Sequence, residues 1–402
     1  MSHHEVAPHA AAGTVRFPHV DNLRTVLVAW VIGGHALLGY SAAGGWSYDE
    51  IHEVTFTPGS ELLLTAVVGP TGLFVIGLFF FLSGLLTEHA IDHHGPRDYV
   101  QDRTLRLGLP WLASALLVWP VSLWLAYRAA GRDVSPWWVF THRDPLLDSG
   151  SLWFALVLLI FSVTFALWRS RAGAVSGDRN RPPLTGVHLA IAVVAVALVS
   201  FVVRLWFPAR SAQVGDLHLW QWPQCAGMFA LGVIAARRGW TRHVPDRIRR
   251  SCGIAAITTL LLLPVLAFAS GLRDVVHGIA PYLGGWHWEA LATATAEGIL
   301  VVAGSVWLLG VAEHRLTGAG PRASRWARSA FAAFVLQGPV LLGLSVAVRS
   351  IDLPAEVKAP AVGVAAIMAC FWLGRHVPFL GAAAWPGRPH QHGAAGRHRA
   401  GS

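Results

Sequence analysis

The chain has 402 residues, 54% of them hydrophobic and only 13% charged, with a mean hydropathy of +0.50. Soluble domains carry about 25% charged residues, so these values exclude an ordinary soluble protein. Apolar runs of about twenty residues recur along the whole length, which is the pattern of a polytopic membrane protein. The formal net charge of +9 does not indicate nucleic acid, because the arginines stand between apolar runs and read as topology determinants.

Residues 1–19 are polar and His-rich and are expected to form a mobile tail. Ten membrane spans are predicted, near 23–43, 66–87, 105–126, 152–168, 187–206, 222–236, 252–271, 292–312, 329–348 and 359–376. The fold class is therefore an all-α, polytopic integral membrane protein, with residues 20–380 as one transmembrane unit. Residues 381–402, rich in Gly, Ala, Pro, His and Arg, are expected to be disordered. With the N-terminus in the cytoplasm, 23 of the 31 Lys and Arg fall on the cytoplasmic side and 8 outside. That bias puts both termini inside and the acidic stretch Asp49-Glu50-Ile51-His52-Glu53 in the first outer loop. The long, weakly basic leader and the charged residues of the first run argue against a cleaved signal peptide. Cys225, Cys252 and Cys370 lie in or beside apolar segments without a CxxC pattern and read as buried small hydrophobes.

The first run carries Asp21, Arg24 and His35. Arg24 and His35 are eleven residues apart, about three helical turns, so they share one stripe with His35 roughly 16 Å further along the axis. Ionisable groups at membrane depth cost free energy and are functional candidates for that reason. Phe79-Phe80-Phe81-Leu82-Ser83-Gly84 ends the second run, and small Ser83 and Gly84 let a backbone or a ligand approach closely. Arg103 and Arg106 open the third run before Leu107-Gly108-Leu109-Pro110. At i, i+3 they share a helix face and offer a guanidinium pair suited to phosphate. Leu152-Trp153-Phe154 begins the fourth run. Trp153 has the position of an interfacial belt residue, as do most tryptophans here, although Trp137, Trp138, Trp220, Trp222, Trp286 and Trp288 could also stack on a sugar. Gln337 and Glu297 are polar residues in apolar spans, which more often join helices than do chemistry. The His-rich ends and His93-His94 lack a closed metal spacing, and no metal ligand is assigned.

In this order the motifs resemble the acyltransferase-3 family of integral membrane acyltransferases. The D-x-L-R start and the Arg-x10-His pattern are represented by Asp21, Leu23, Arg24 and His35. The Phe-rich run ending in Ser-Gly is Phe79 to Gly84, the R-x-x-R before proline is Arg103, Arg106 and Pro110, and the Leu-Trp-Phe motif is Leu152 to Phe154. The resemblance is specific over roughly residues 20–155. The Arg-Leu-Gly-Leu-Pro and Leu-Trp-Phe-Ala-Leu-Val-Leu stretches look most like the branch that includes the periplasmic-glucan succinyltransferases. Ser151 stands where relatives often have His before Leu-Trp-Phe, and a late-helix Tyr-x-x-His reads here as Phe334-Val335-Leu336-Gln337.

The resemblance implies a multi-pass protein of the bacterial inner or plasma membrane. It implies an acyl-CoA-type donor from the cytoplasm, used as co-substrate with no permanently bound cofactor. It also implies a carbohydrate or glycoconjugate acceptor that is O-acylated, for example by acetyl or succinyl groups. In that frame Arg103 and Arg106, with Arg24 at the same level, hold the donor phosphates. Neutral His35 is the general base, Ser83 is a candidate on the donor side, and Trp153 and Gln337 stand on the acceptor side. Asp49, Glu50 or Glu53 would orient His35. The competing class is a transporter or flippase for a glycan or lipid-linked sugar, which ten helices with central charges would also suit.

Overall fold

The computed structural model describes residues 17–42, 54–172, 183–210, 215 and 217–377, and every regular element among them is helical. Of the tail expected at residues 1–19, residues 1–16 lie outside the described residues, whereas Phe17 precedes α1 and Pro18 and His19 open it; the tail expected at 381–402 and Asp49, Glu50 and Glu53 also lie outside. Twelve helices carry the architecture. They are α1 (Pro18–Leu38), α2 (Pro58–Val67), α3 (Val75–Arg103), α4 (Trp119–Ala129), α5 (Trp153–Ala172), α6 (Gly186–Val203), α7 (Trp222–Arg237), α8 (Asp246–Ala269), α9 (Trp288–Ile299), α10 (Ser305–Arg315), α11 (Pro321–Ala347) and α12 (Ala355–His376). Proline sits in the first turn of α1, α2, α7 and α11, where its missing N–H would be unpaired anyway and its fixed φ already suits a helix.

Among the described residues seven stretches are long and apolar enough to cross a membrane: Gly69–Ala129, Gly150–Ala172, Gly186–Val203, Asp246–Ala269, Trp288–Arg315, Pro321–Ala347 and Ala355–His376. The first is 61 residues long but is not one rod. Gly95 has φ +79° and ψ 160° ahead of Pro96, a left-handed backbone that glycine adopts at low cost. The chain folds back there, so the Tyr99 hydroxyl reaches Thr87 Oγ1 at 3.1 Å. Residues twelve apart on a straight helix stand about 18 Å apart. α1 has the length of a crossing, 21 residues, but Asp21, Asn22 and Arg24 lower its hydropathy. α7, with 16 residues, is shorter than the other candidates.

Two faces show what solvent this bundle is built for. On α6, Val187, Ile191, Val194 and Leu198 are exposed, and on α8 so are Ile254, Leu261 and Val265, with Leu261 at 67%. Contiguous apolar faces with nothing packed over them fit hydrocarbon rather than water. The interior is joined by close crossings at small residues. A Cβ on Gly84 of α3 would lie 2.2 Å from the Phe229 carbonyl oxygen of α7, and one on Gly232 of α7 would lie 2.2 Å from that of Phe81. α1 packs against α10, α11 and α12, which places its polar stripe inside the bundle.

Between α3 and α4 the helical path contains two wider, π-type turns, Thr104–Gly108 and Ser114–Val118. Each lies just ahead of a proline, Pro110 or Pro120. A proline cannot donate to the carbonyl four residues back and its ring crowds that carbonyl, which a widened turn relieves. Arg106 lies in the first of these turns.

Candidate active site

Asp21, Arg24 and His35 all lie on α1. At one end of this stripe Arg24 Nη2 donates to the Leu82 carbonyl of α3 at 3.3 Å. Arg24 interacts electrostatically with Asp21 and Arg103, and Arg106 does so with Asp102 and Arg103. The fold thus gathers the three predicted arginines from two segments into one charge cluster. Within it Arg106 Nε lies 2.5 Å from Asp102 Oδ1, and the Arg103 guanidinium stands 5.1 Å from the centre of the Tyr99 ring.

At the other end His35 lines a cavity of about 670 Å³. Its Nδ1 lies 3.0 Å from Gln337 Oε1 on α11, and Gln337 is fully buried. A carboxamide oxygen only accepts, so Nδ1 carries the proton and Nε2 is the basic nitrogen. The partner seen for His35 is therefore an amide, whereas the carboxylates expected for this task, Asp49, Glu50 and Glu53, fall outside the described residues.

The position of Gln337 is set by aromatic packing. One turn earlier on α11, Phe334 packs edge-on against Phe154 of α5 with centroids 4.6 Å apart, and Phe79 of α3 touches both rings at 6.2 and 6.3 Å. The next residue, Gly338, lies against buried Trp119; a Cβ there would come within 2.9 Å of the indole. Trp119 Nε1 in turn donates to Asp148 Oδ2 at 2.7 Å. The Phe-rich, Leu-Trp-Phe and late-helix motifs thus meet in one packing unit that holds the partner of His35.

The other predicted residues divide. Trp153 lines the cavity and stacks on His218 with centroids 4.4 Å apart. Burial pushes the His218 imidazole down to about 4, so it is neutral at physiological pH. Ser83 is buried on α3, its carbonyl accepts from Thr87 Oγ1 at 2.8 Å, and it does not line the cavity. The Ser83-Gly84 pair does not end a span, because α3 continues to the turn at Gly95; Gly84 serves the crossing with α7. Arg24, Arg103 and Arg106 do not line the cavity either. Of the six outer tryptophans expected as sugar platforms, Trp220 alone lines it, and Trp137, Trp286 and Trp288 are exposed elsewhere.

A family model described as an acyltransferase domain, Acyl_transf_3, matches residues 17–375. This chain belongs to the acyltransferase-3 family. No curated protein and no solved structure matches it. As an acyltransferase-3 protein it carries acyltransferase activity, and its long apolar helices make it a multi-pass membrane enzyme.

One polar group of this acyltransferase was not visible as a unit in the sequence. Arg204, at the end of α6, and Glu297, on α9, form an ion pair in the interior, and Ser200 Oγ donates to the same carboxylate at 3.2 Å. Both charged residues line the cavity and are almost completely buried. Glu297 was legible singly, as a polar residue in an apolar span. Its pairing with Arg204 across 93 positions was not.

Proposed function

We propose that this acyltransferase moves an acyl group from a cytoplasmic acyl-CoA-type donor to a hydroxyl of a carbohydrate or glycoconjugate acceptor, with His35 as general base. The observation that carries the reading is His35 in the cavity wall with its Nδ1 held by Gln337. That tautomer suits a base, because Nε2 can take a proton while the amide keeps the ring oriented. The reaction balances as follows. The acceptor O–H gives its proton to His35 Nε2, the oxygen forms a bond to the thioester carbonyl carbon, and the C–S bond breaks. The thiolate leaves and takes up the proton.

Arg24, Arg103 and Arg106 are the groups that would receive the donor phosphates, since three guanidinium groups gathered at one place favour a polyanion. This cluster and His35 are separated along α1 by about 16 Å, which suits a donor with its charge at one end and its reactive carbon at the end of a long arm. Trp153 and Gln337 belong to the acceptor side. In topology the reading is ten crossings with both termini in the cytoplasm. The fold-back at Gly95 divides the longest apolar stretch in two, and α1 and α7 supply the remaining passes. The 23 to 8 distribution of basic residues supports that orientation.

The test is transfer of a labelled acyl group from acyl-CoA to carbohydrate in membranes carrying either wild type or His35→Ala. Label transferred by wild type alone is the expected result. Equal transfer by the two would remove His35 from the chemistry, and use of no acyl-CoA by wild type would reject this donor class.

A further inference from the structure

The wall of the cavity around the Arg204–Glu297 pair holds side-chain atoms that no described residue satisfies. Both the oxygen and the nitrogen of the Gln224 carboxamide lack a hydrogen-bond partner, as do Gln221 Oε1, Trp220 Nε1 and Arg204 Nε. All four residues line the cavity. Gln224 is 1% exposed and Arg204 2%. Leaving a buried polar group unpaired is costly, so five such atoms on one wall of an open space indicate a ligand surface rather than a packing accident. Gly77 of α3 leaves room for the Gln224 side chain, since a Cβ there would lie 3.0 Å from its Oε1.

The chemistry of this wall selects its ligand. The deep charges, Arg204 and Glu297, neutralise each other, and the Arg204 guanidinium also stands 5.3 Å from the centre of the Trp220 ring. Among the described residues the one other arginine, lysine or carboxylate in the lining is Arg210, which is exposed. What remains is a neutral mixture of donors and acceptors. A hydroxyl both donates and accepts and satisfies such a mixture, whereas an anion accepts only and would face the amide oxygens unpaired. Most of the remaining lining, including Leu38, Leu64, Ile76, Leu263 and Leu283, is apolar, which suits hydrocarbon.

We propose that this wall is the acceptor subsite, taking the neutral, hydroxyl-bearing head of an amphipathic acceptor while the apolar wall takes its chain. The proposal rests on the reading above that an acceptor hydroxyl gives its proton to His35, which lines this cavity. Gln221 and Gln224 are its specificity-determining residues, and Arg204–Glu297 is the neutral pair behind them.

The experiment is equilibrium binding of radiolabelled octyl glucoside to the full-length protein in lipid nanodiscs, with protein-free discs subtracted. It needs neither donor nor turnover, so its outcome is independent of whether His35 is the base. Saturable binding is expected, weakened about tenfold by Gln224→Leu, the effect of one lost hydrogen bond to a buried group. Gln221→Leu, at the less buried edge of the wall, is expected to act in the same direction and decides the matter if Gln224→Leu does not fold. Octyl glucuronide, with the same chain and a carboxylate, is expected to bind about tenfold more weakly, and methyl glucoside, lacking the chain, weaker still. No saturable binding would overturn the proposal. So would binding unchanged in the folded glutamine variants, equal binding of the glucuronide, or equal binding of methyl glucoside.

Discussion

His35 and Gln337 stand 302 positions apart in the chain and meet at 3.0 Å, imidazole Nδ1 to carboxamide oxygen. This contact assigns the two residues different work. In the proposed reaction His35 would exchange the proton, and Gln337 would act as a positioning residue that sets which ring nitrogen is basic. His35→Ala is expected to abolish transfer, since a positioned general base contributes about 10²–10⁴-fold. Gln337→Leu is expected to lower kcat about tenfold or more with the donor KM unchanged, and Gln337→Asn to recover part of it. The pH–rate profile supplies the check, because losing the amide partner moves the kcat profile whereas a purely structural defect lowers it at every pH. A Gln337→Leu enzyme with wild-type kcat and profile would remove Gln337 from this role.

The two arginines of the R-x-x-R pair are not equivalent. Arg106 lies 2.5 Å from Asp102, whereas Arg103 stacks on Tyr99 and interacts electrostatically with Arg24. A guanidinium already engaged by a carboxylate offers less to an incoming phosphate. Arg103→Gln is therefore expected to raise the donor KM about tenfold, and Arg106→Gln by less, with kcat nearly constant in both. Initial rates over a range of donor concentration test the order. Equal donor KM values in wild type and Arg103→Gln would separate the cluster from donor binding.

The α3–α7 crossing predicts an asymmetry between glycines. A methyl group on Gly84 meets a backbone oxygen of α7 at 2.2 Å, whereas one on Gly343 of α11 meets nothing within 4 Å. Gly84→Ala is expected to destabilise the protein by about 1–3 kcal/mol through overpacking. Gly343→Ala is expected to be neutral or to stabilise it by up to about 1 kcal/mol, because alanine restricts the unfolded chain. Thermal unfolding of the purified protein measures both, and similar Tm values for the two variants would contradict the close crossing.

A pH-dependent tie joins His243, which lies outside the apolar stretches, to the C-terminal turn of α10. His243 Nδ1 sits 2.6 Å from Glu313 Oε1, and the same carboxylate accepts from the Val244 N–H at 3.0 Å. The hydrogen bond and charge of Glu313 raise the His243 pKa above its ordinary 6.5. A raised histidine contributes stability that is fully present below the unfolded-state value and is lost as pH rises through the folded-state value. The Tm difference between wild type and His243→Ala is therefore expected to be larger at pH 5.5 than at pH 9. Because His243 is mostly solvent-exposed the effect is small. A difference that grows toward pH 9 would contradict the assignment.

Much of this protein was determined by the sequence alone. The apolar runs specify membrane helices, and local rules then act without reference to the rest of the chain. The spacing of Arg24 and His35 needs only the helical repeat to place them on one stripe, and helices occupy each of the ten predicted runs. Proline in the first turn starts several helices for equally local reasons. Tertiary structure decided what those stripes face. Gln337 and Glu297 look alike in sequence, each a polar residue in an apolar span. One meets His35 and the other meets Arg204 only because α11 packs on α1 and α6 packs on α9. Apolar helices present similar surfaces along their length, so their sequences carry little record of which neighbour each will choose. That choice is made by shape, at close crossings such as Gly84 with Gly232, and it collects the unsatisfied carboxamides of the cavity wall from positions that no local pattern singles out.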